Sequence, residues 1–157
     1  MIRKFTENKG DIMMKVGRLI LIILVLLIVS CSYNNMADYD QRIAGKIIEV
    51  SRMINLFYLN MADYGTSERQ YSKFSEDYKN IEIELQTLVL MNEIRPLNDE
   101  SNLQAQTILD FWIKYKNAHK EKDTYKDVLI KLHRDRFNRN FAAMAMGEQL
   151  KKDDDQE

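Results

Sequence analysis

The stretch Ile43–Tyr64, IAGKIIEVSRMINLFYLNMADY, decides the fold class. Its residues Ile43, Ile47, Val50, Ile54, Phe57, Met61 and Tyr64 alternate spacings of four and three. A helix brings such a series onto one face, because residues three and four apart lie above one another. Sustained over this length the series is a heptad seam, which packs against other helices. The spacing predicts a helix from about Met36 to Asp63. A second apolar line, Ile48, Leu56 and Leu59, falls on another face of it. That line marks either a helix wedged between neighbours or a surface that binds a partner.

Gly65 fits the position just past a helix end, where glycine enters the left-handed region at little cost. Ser67 and Gln70 then have the spacing of a capping box opening a second helix. Tyr71, Phe74, Tyr78, Ile81, Leu85 and Leu88 repeat the three-and-four alternation. This helix should end near Ile94, because Arg95 precedes Pro96 and is pushed out of helical geometry. The very short turn makes the pair an antiparallel helical hairpin.

Pro96 to Asp99 forms the next connection, with Asn98 or Asp99 as cap. The third helix carries Leu103, Ile108, Leu109, Phe111, Trp112, Ile113 and Tyr115. The polar run Asn117 to Asp123 reads as a loop or as an exposed turn of one long helix. Thr124 and Asp127 give another capping-box spacing for a last helix from about Thr124 to Leu150, with Tyr125, Leu129, Leu132, Phe137, Phe141 and Met144 inward. Lys151 to Glu157, KKDDDQE, reads as a disordered charged tail. Five glycines and one proline in 157 residues also favour helices over a turn-rich β fold. The expected architecture is all-α: an antiparallel, up-down-up-down four-helix bundle over residues 36–150, with three long helices as the alternative.

Upstream, Leu19 to Val29 is an apolar run flanked by Lys15 and Arg18 and followed by Ser30 and Cys31. A positive segment, a short apolar core and a small residue compose a secretory signal. The core is too short to span a bilayer, which needs roughly 20 apolar residues. Ile28-Val29-Ser30-Cys31 resembles a bacterial lipobox. The resemblance implies cleavage between Ser30 and Cys31, so that residues 1–30 are a signal peptide, and a covalent lipid on Cys31. Residues 31–35 would then be the lipidated cysteine and a short tether. Two or three acyl chains give stable attachment where one gives only marginal binding. Ser32 after the cysteine implies the outer membrane in a host with two membranes, and the outer face of the plasma membrane in a host with one. Glu7 and Asp11 are unusual in a signal, so Met13 or Met14 is the expected start.

Of the 23 basic and 24 acidic residues, five and two fall in residues 1–30, leaving 18 and 22 in the 127 that follow. A net charge of −4 argues against nucleic acid as a partner. Cys31 is the single cysteine, so no disulfide and no cysteine-based metal site is expected. His119 and His133 are fourteen apart, and neither has a glutamate three before it as bundle di-iron sites require. No phosphate loop, HExxH or GxSxG occurs, so neither catalytic nor metal-ligating residues are expected and the covalent lipid is the one prosthetic group. Lys131, Arg134, Arg136 and Arg139 form the most basic segment. It reads either as a site for an anionic partner or as a solvated face pairing with Glu76, Asp77, Glu82 and Glu84 of the second helix.

The expectation is a small lipid-anchored envelope protein, held to the membrane by its lipid and engaging a protein partner through helical surfaces. It is similar in size, anchor and helix content to secretion pilotins and to entry-exclusion and immunity lipoproteins. A small-ligand-sensing bundle, similar in layout to the periplasmic module of chemoreceptors, is the alternative. Cys31→Ala should leave an unprocessed precursor, detectable as a larger band on a gel of the membrane fraction. Maturation of that variant to the wild-type size would refute the lipobox reading.

Overall fold

The computed structural model describes residues 37–154 together with Met14, Val16 and Arg18. The chain divides into two units, Met1–Asn35 and Met36–Glu157. The readings of the signal core, of the Ser30–Cys31 cleavage site, of the tether and of residues 155–157 fall outside the described residues. Among the described residues no helix is long and apolar enough to cross a membrane.

The second unit is a four-helix bundle. Its helices are α1 (Gln41–Ala62), α2 (Tyr71–Glu93), α3 (Asp99–Lys122) and α4 (Asp127–Asp154). Each packs on two neighbours: α1 on α2 and α4, α3 on α2 and α4. The alternative of three long helices is ruled out by Asp123, which breaks α3 from α4 in the left-handed conformation, φ 47°. Aspartate tolerates this region better than most residues.

The core is the seam read from the sequence. Ile43, Ile47, Val50, Ile54, Phe57 and Met61 of α1 are buried, as are Phe74, Tyr78, Ile81, Leu85 and Leu88 of α2. Toward the end where α1 and α3 finish it holds an aromatic layer to which every helix contributes. Phe57 lies edge-on to Trp112, with centroids 5.0 Å apart, and at 4.7 Å from Tyr78. Tyr58 stacks on Phe137 at 6.1 Å. Such pairs add about 0.5–1.5 kcal/mol beyond the burial of their area. Trp112 satisfies its own polar atom, its Nε1–H donating to the Tyr78 carbonyl at 3.1 Å.

The helix ends depart from the sequence expectations in several places. α1 begins at Gln41 rather than Met36, because the Asp40 carboxylate accepts the Arg42 N–H at 2.8 Å and caps the first turn. Gly65 is not left-handed. It is extended, φ −64° and ψ 152°, and opens a short 3₁₀ turn, Thr66–Glu68, in which its N–H donates to Glu68 Oε2 at 3.1 Å. The Ser67–Gln70 box does not form. The α2 terminus is capped from a distance, by Asp123 Oδ1 accepting the Tyr71 N–H at 2.8 Å. The Thr124–Asp127 box is also absent, since the Thr124 hydroxyl donates to the Thr66 carbonyl. Asn117 to Lys122 is helix, not loop. Tyr64 and Leu132, expected inward, are exposed; Ile130 takes the inward place beside His133.

The largest correction concerns the C-terminal segment. Helix α4 continues to Asp154, and Lys151 is buried. Its ammonium donates to Glu148 Oε1 at 2.7 Å, to Asn98 Oδ1 at 2.7 Å and to Ser101 Oγ at 2.9 Å. Glu148, only 2% exposed, also takes Arg95 Nη1–H at 2.9 Å and the Asp40 N–H at 3.5 Å. Arg95 in turn donates to the Asp38 carbonyl. This cluster joins the start of α1, the α2–α3 connection and the end of α4. Beside it the Ala37 N–H donates to the Leu97 carbonyl at 3.0 Å, and Leu97 stands at φ 57°. The left-handed region costs a leucine about 1–2 kcal/mol.

Removing one partner of a buried ion pair strands the others, at about 3–5 kcal/mol. Glu148→Gln, in a soluble form starting at Ser32, should therefore lower the urea midpoint by that order of stability. A midpoint unchanged from wild type would mean that the cluster does not hold this end together.

Candidate functional site

Two hydrogen-bonded chains run through the opposite end of the bundle, where α1 and α3 finish and α2 and α4 begin. The first starts from Arg69, in the segment between the 3₁₀ turn and α2. Its guanidinium is buried. Nε donates to the Met61 carbonyl at 2.9 Å, while Nη1 donates to the Tyr125 carbonyl at 2.9 Å and to Asp127 Oδ1 at 2.6 Å. The last carbonyls of a helix have no partner within it, and here an arginine from the next segment takes those of α1.

The Arg69 carbonyl accepts from His119 Nε2 at 2.8 Å. A carbonyl only accepts, so the proton sits on Nε2. His119 Nδ1 is then the acceptor for the Tyr78 hydroxyl, 3.1 Å away. In the neutral ring these partners select the Nε2–H tautomer. Burial pushes the His119 pKa down, against the opposing pull of the Arg69 carbonyl and Asp123.

The second chain runs from the Tyr58 hydroxyl to that of Tyr125, 3.4 Å away, and from Tyr125 to His133 Nδ1. His133 stacks on Tyr115 with centroids 3.5 Å apart. Burial, helped by Arg136 and Lys114, lowers its pKa to about 4. Burial likewise raises the pKa of Tyr58, Tyr78 and Tyr125, so all three hydroxyls stay protonated as donors. These chains orient rings and close the end of the bundle. Their hydrogen bonds run between these side chains and to backbone carbonyls. Among the described residues no group of three His, Cys, Asp or Glu side chains is placed to hold a metal ion.

The sequence reading missed this network by setting His119 in a polar loop or exposed turn and by weighing the two histidines only as metal ligands. A signal for His119 was present: Ile108, Trp112, Tyr115 and His119 continue the spacing of four, three and four. Arg69 lies between helices and carries no periodic signal.

The sequence-predicted surfaces fare unequally. Ile48, Leu56 and Leu59 are all exposed and lie on α1 opposite its buried face. Leu56 borders a shallow groove of about 200 Å³ between α1 and α2, with Met53, Phe57 and Asn60 on one wall and Asp77 and Ile81 on the other.

The basic segment does not form one patch. Lys131 and Arg136 point about 140° apart around α4. Arg136 lies over the Phe111 ring, 5.1 Å from its centroid, and donates to the Tyr115 hydroxyl. Lys131, Arg134 and Arg139 are left. Pairing of the segment with α2 is not found either, because α2 and α4 sit diagonally. Glu84 pairs with Lys46 of α1, and Glu82 with Lys116 of α3.

No family model, curated protein or solved structure matches this chain.

The two histidines give the bundle an acid sensitivity of definite sign. A ring held neutral in the fold binds fewer protons than the unfolded chain once pH falls below the ordinary histidine value of 6.5. Stability should then drop as pH falls from about 6.5 toward about 4, where His133 titrates in the fold. Urea midpoints measured across that range test this. His133→Phe should flatten part of the slope, with His119 supplying the rest. An identical slope in the variant would exclude His133 as a source.

Proposed function

We propose that this chain is a lipid-anchored accessory protein of the bacterial cell envelope that engages a protein partner through the outer face of α1. The observation that carries the reading is the stripe Ile48, Leu56 and Leu59, exposed on a helix whose opposite face is fully committed to the core. Exposed apolar groups that a bundle does not need for its own packing favour an interaction surface. The lipobox resemblance at Ile28-Val29-Ser30-Cys31 supplies the membrane attachment, with Ser32 favouring the outer membrane where the host has two.

The interior supports this reading over a ligand-sensing bundle. A sensor needs polar groups turned into a cavity, whereas His119, His133, Tyr58, Tyr78, Tyr125 and Arg69 are bonded to one another, to Asp127 or to backbone. The described grooves are shallow and open, at about 200 to 290 Å³.

Crosslinking in intact cells with the anchored protein as bait, beside a soluble Ser32–Glu157 form, tests the proposal. One dominant envelope protein should be captured by the anchored form. Leu56→Glu with Leu59→Glu should abolish that capture while changing stability by no more than about 0.5 kcal/mol per site, as exposed substitutions do. Undiminished capture by the double variant would move the contact elsewhere. No partner with either form would overturn the accessory reading and favour the sensor.

A further inference from the structure

The side of α4 turned away from the core carries a second three-and-four series. Val128, Leu132, Asp135, Arg139, Ala142 and Met146 follow one another at spacings of four, three, four, three and four. At about 100° per residue all six fall within about 40° of the direction opposite Phe137, which is buried in the core. Val128 is 68% exposed, Leu132 45% and Met146 67%, and Arg139 and Ala142 are exposed beside them. Helix α4 packs on α1 and α3 with its other side, so the series is one stripe about 27 Å long that the bundle itself leaves uncovered. Its alternation is that of a seam between paired helices, the same that α1 and α2 present to the core.

The charges of the stripe say what covers it. Its two central members are Asp135 and Arg139, and neither makes a hydrogen bond or an ion pair with any described residue. A second α4, laid antiparallel about a two-fold axis midway between them, brings Asp135 of each copy to Arg139 of the other. The same axis sets Leu132 against Ala142, a large side chain against a small one, and Val128 against Met146, both apolar. Every contact then occurs twice, as a two-fold interface requires. A shift of one heptad either way would set both charges against apolar side chains. A parallel pair in register would set Asp135 on Asp135 and Arg139 on Arg139, and like charges in an interface cost affinity.

We propose that the outer face of α4 is the interface of a two-fold, antiparallel dimer of this chain. It uses none of the residues assigned above to a protein partner, and it does not rest on the lipid-anchor reading. With one helix from each copy the interface is small, of the class that associates transiently.

The test is sedimentation equilibrium of the full-length protein in a mild detergent over a range of concentrations. The wild-type chain should pass from one copy to two as concentration rises. Asp135→Arg and Arg139→Asp should each weaken the dimer by about tenfold or more, since each sets like charges opposite one another twice. The two changes together restore opposite charges and should bring the association back near the wild-type value. Val128→Glu with Met146→Glu should leave one copy throughout. Urea midpoints of all variants should stay near wild type, as exposed substitutions do, so a lost dimer is not an unfolded chain. One copy at every concentration of the wild type overturns the dimer and leaves the stripe to a helix of another protein. A dimer that both single reversals leave intact, or that the double reversal fails to restore, overturns the antiparallel α4 pairing.

Discussion

The Arg69 guanidinium, buried where α1 and α3 end, holds the upper part of the bundle in register. A helix that stops leaves its final carbonyls without partners and one that starts leaves its first N–H groups, and each end of the bundle has two of each. Arg69 takes the Met61 carbonyl of α1, the Tyr125 carbonyl just before α4 and the Asp127 carboxylate on α4. Its own carbonyl receives His119 from α3, and His119 receives Tyr78 from α2. One residue thus reaches all four helices. At the other end Glu148 has the corresponding role, gathering Arg95, Lys151 and the Asp40 N–H.

Between these two polar lids the core is closed by aromatic rings rather than by aliphatic side chains alone. Phe57, Tyr58, Tyr78, Trp112 and Phe137 meet toward the end where α1 and α3 finish. Every hydroxyl among them that reaches the interior ends on a neutral histidine or on another tyrosine that does. A neutral imidazole can accept such a proton, and a protonated one cannot. The histidines are therefore structural acceptors whose protonation state matters to the fold. The interior is thereby committed to packing, which is why the proposed function rests on exposed residues rather than on buried ones.

Much of the fold was legible in the order of residues because helical periodicity is a local property. The three-and-four spacing of Ile43 to Met61 and of Phe74 to Leu88 placed both helices and their buried faces, and the pre-proline constraint at Arg95 placed the end of α2 within a residue. The line Ile48, Leu56 and Leu59 was legible for the same reason, but its exposure was not, since a helix wedged between neighbours fitted the spacing equally. Where the reading went astray, it treated polarity as a sign of exposure. His119, Glu148 and Lys151 occupy seam positions and are buried, because partners distant in sequence satisfy them. The two capping boxes failed because caps came from elsewhere, Asp123 reaching across 52 residues to Tyr71.

By itself, then, the sequence determined that this chain makes amphipathic helices and most of the apolar side chains that face inward, while the choice between three helices and four stayed open. It also carries the lipobox-like stretch at its start. Tertiary structure alone decided how the bundle ends are closed, which charges are buried, that the basic run of α4 is split between faces, and that Leu97 is held strained beside the incoming chain. The reason is physical. Periodicity records the face a residue occupies, but the cost of burying a charge or straining a backbone depends on partners that only folding brings within reach.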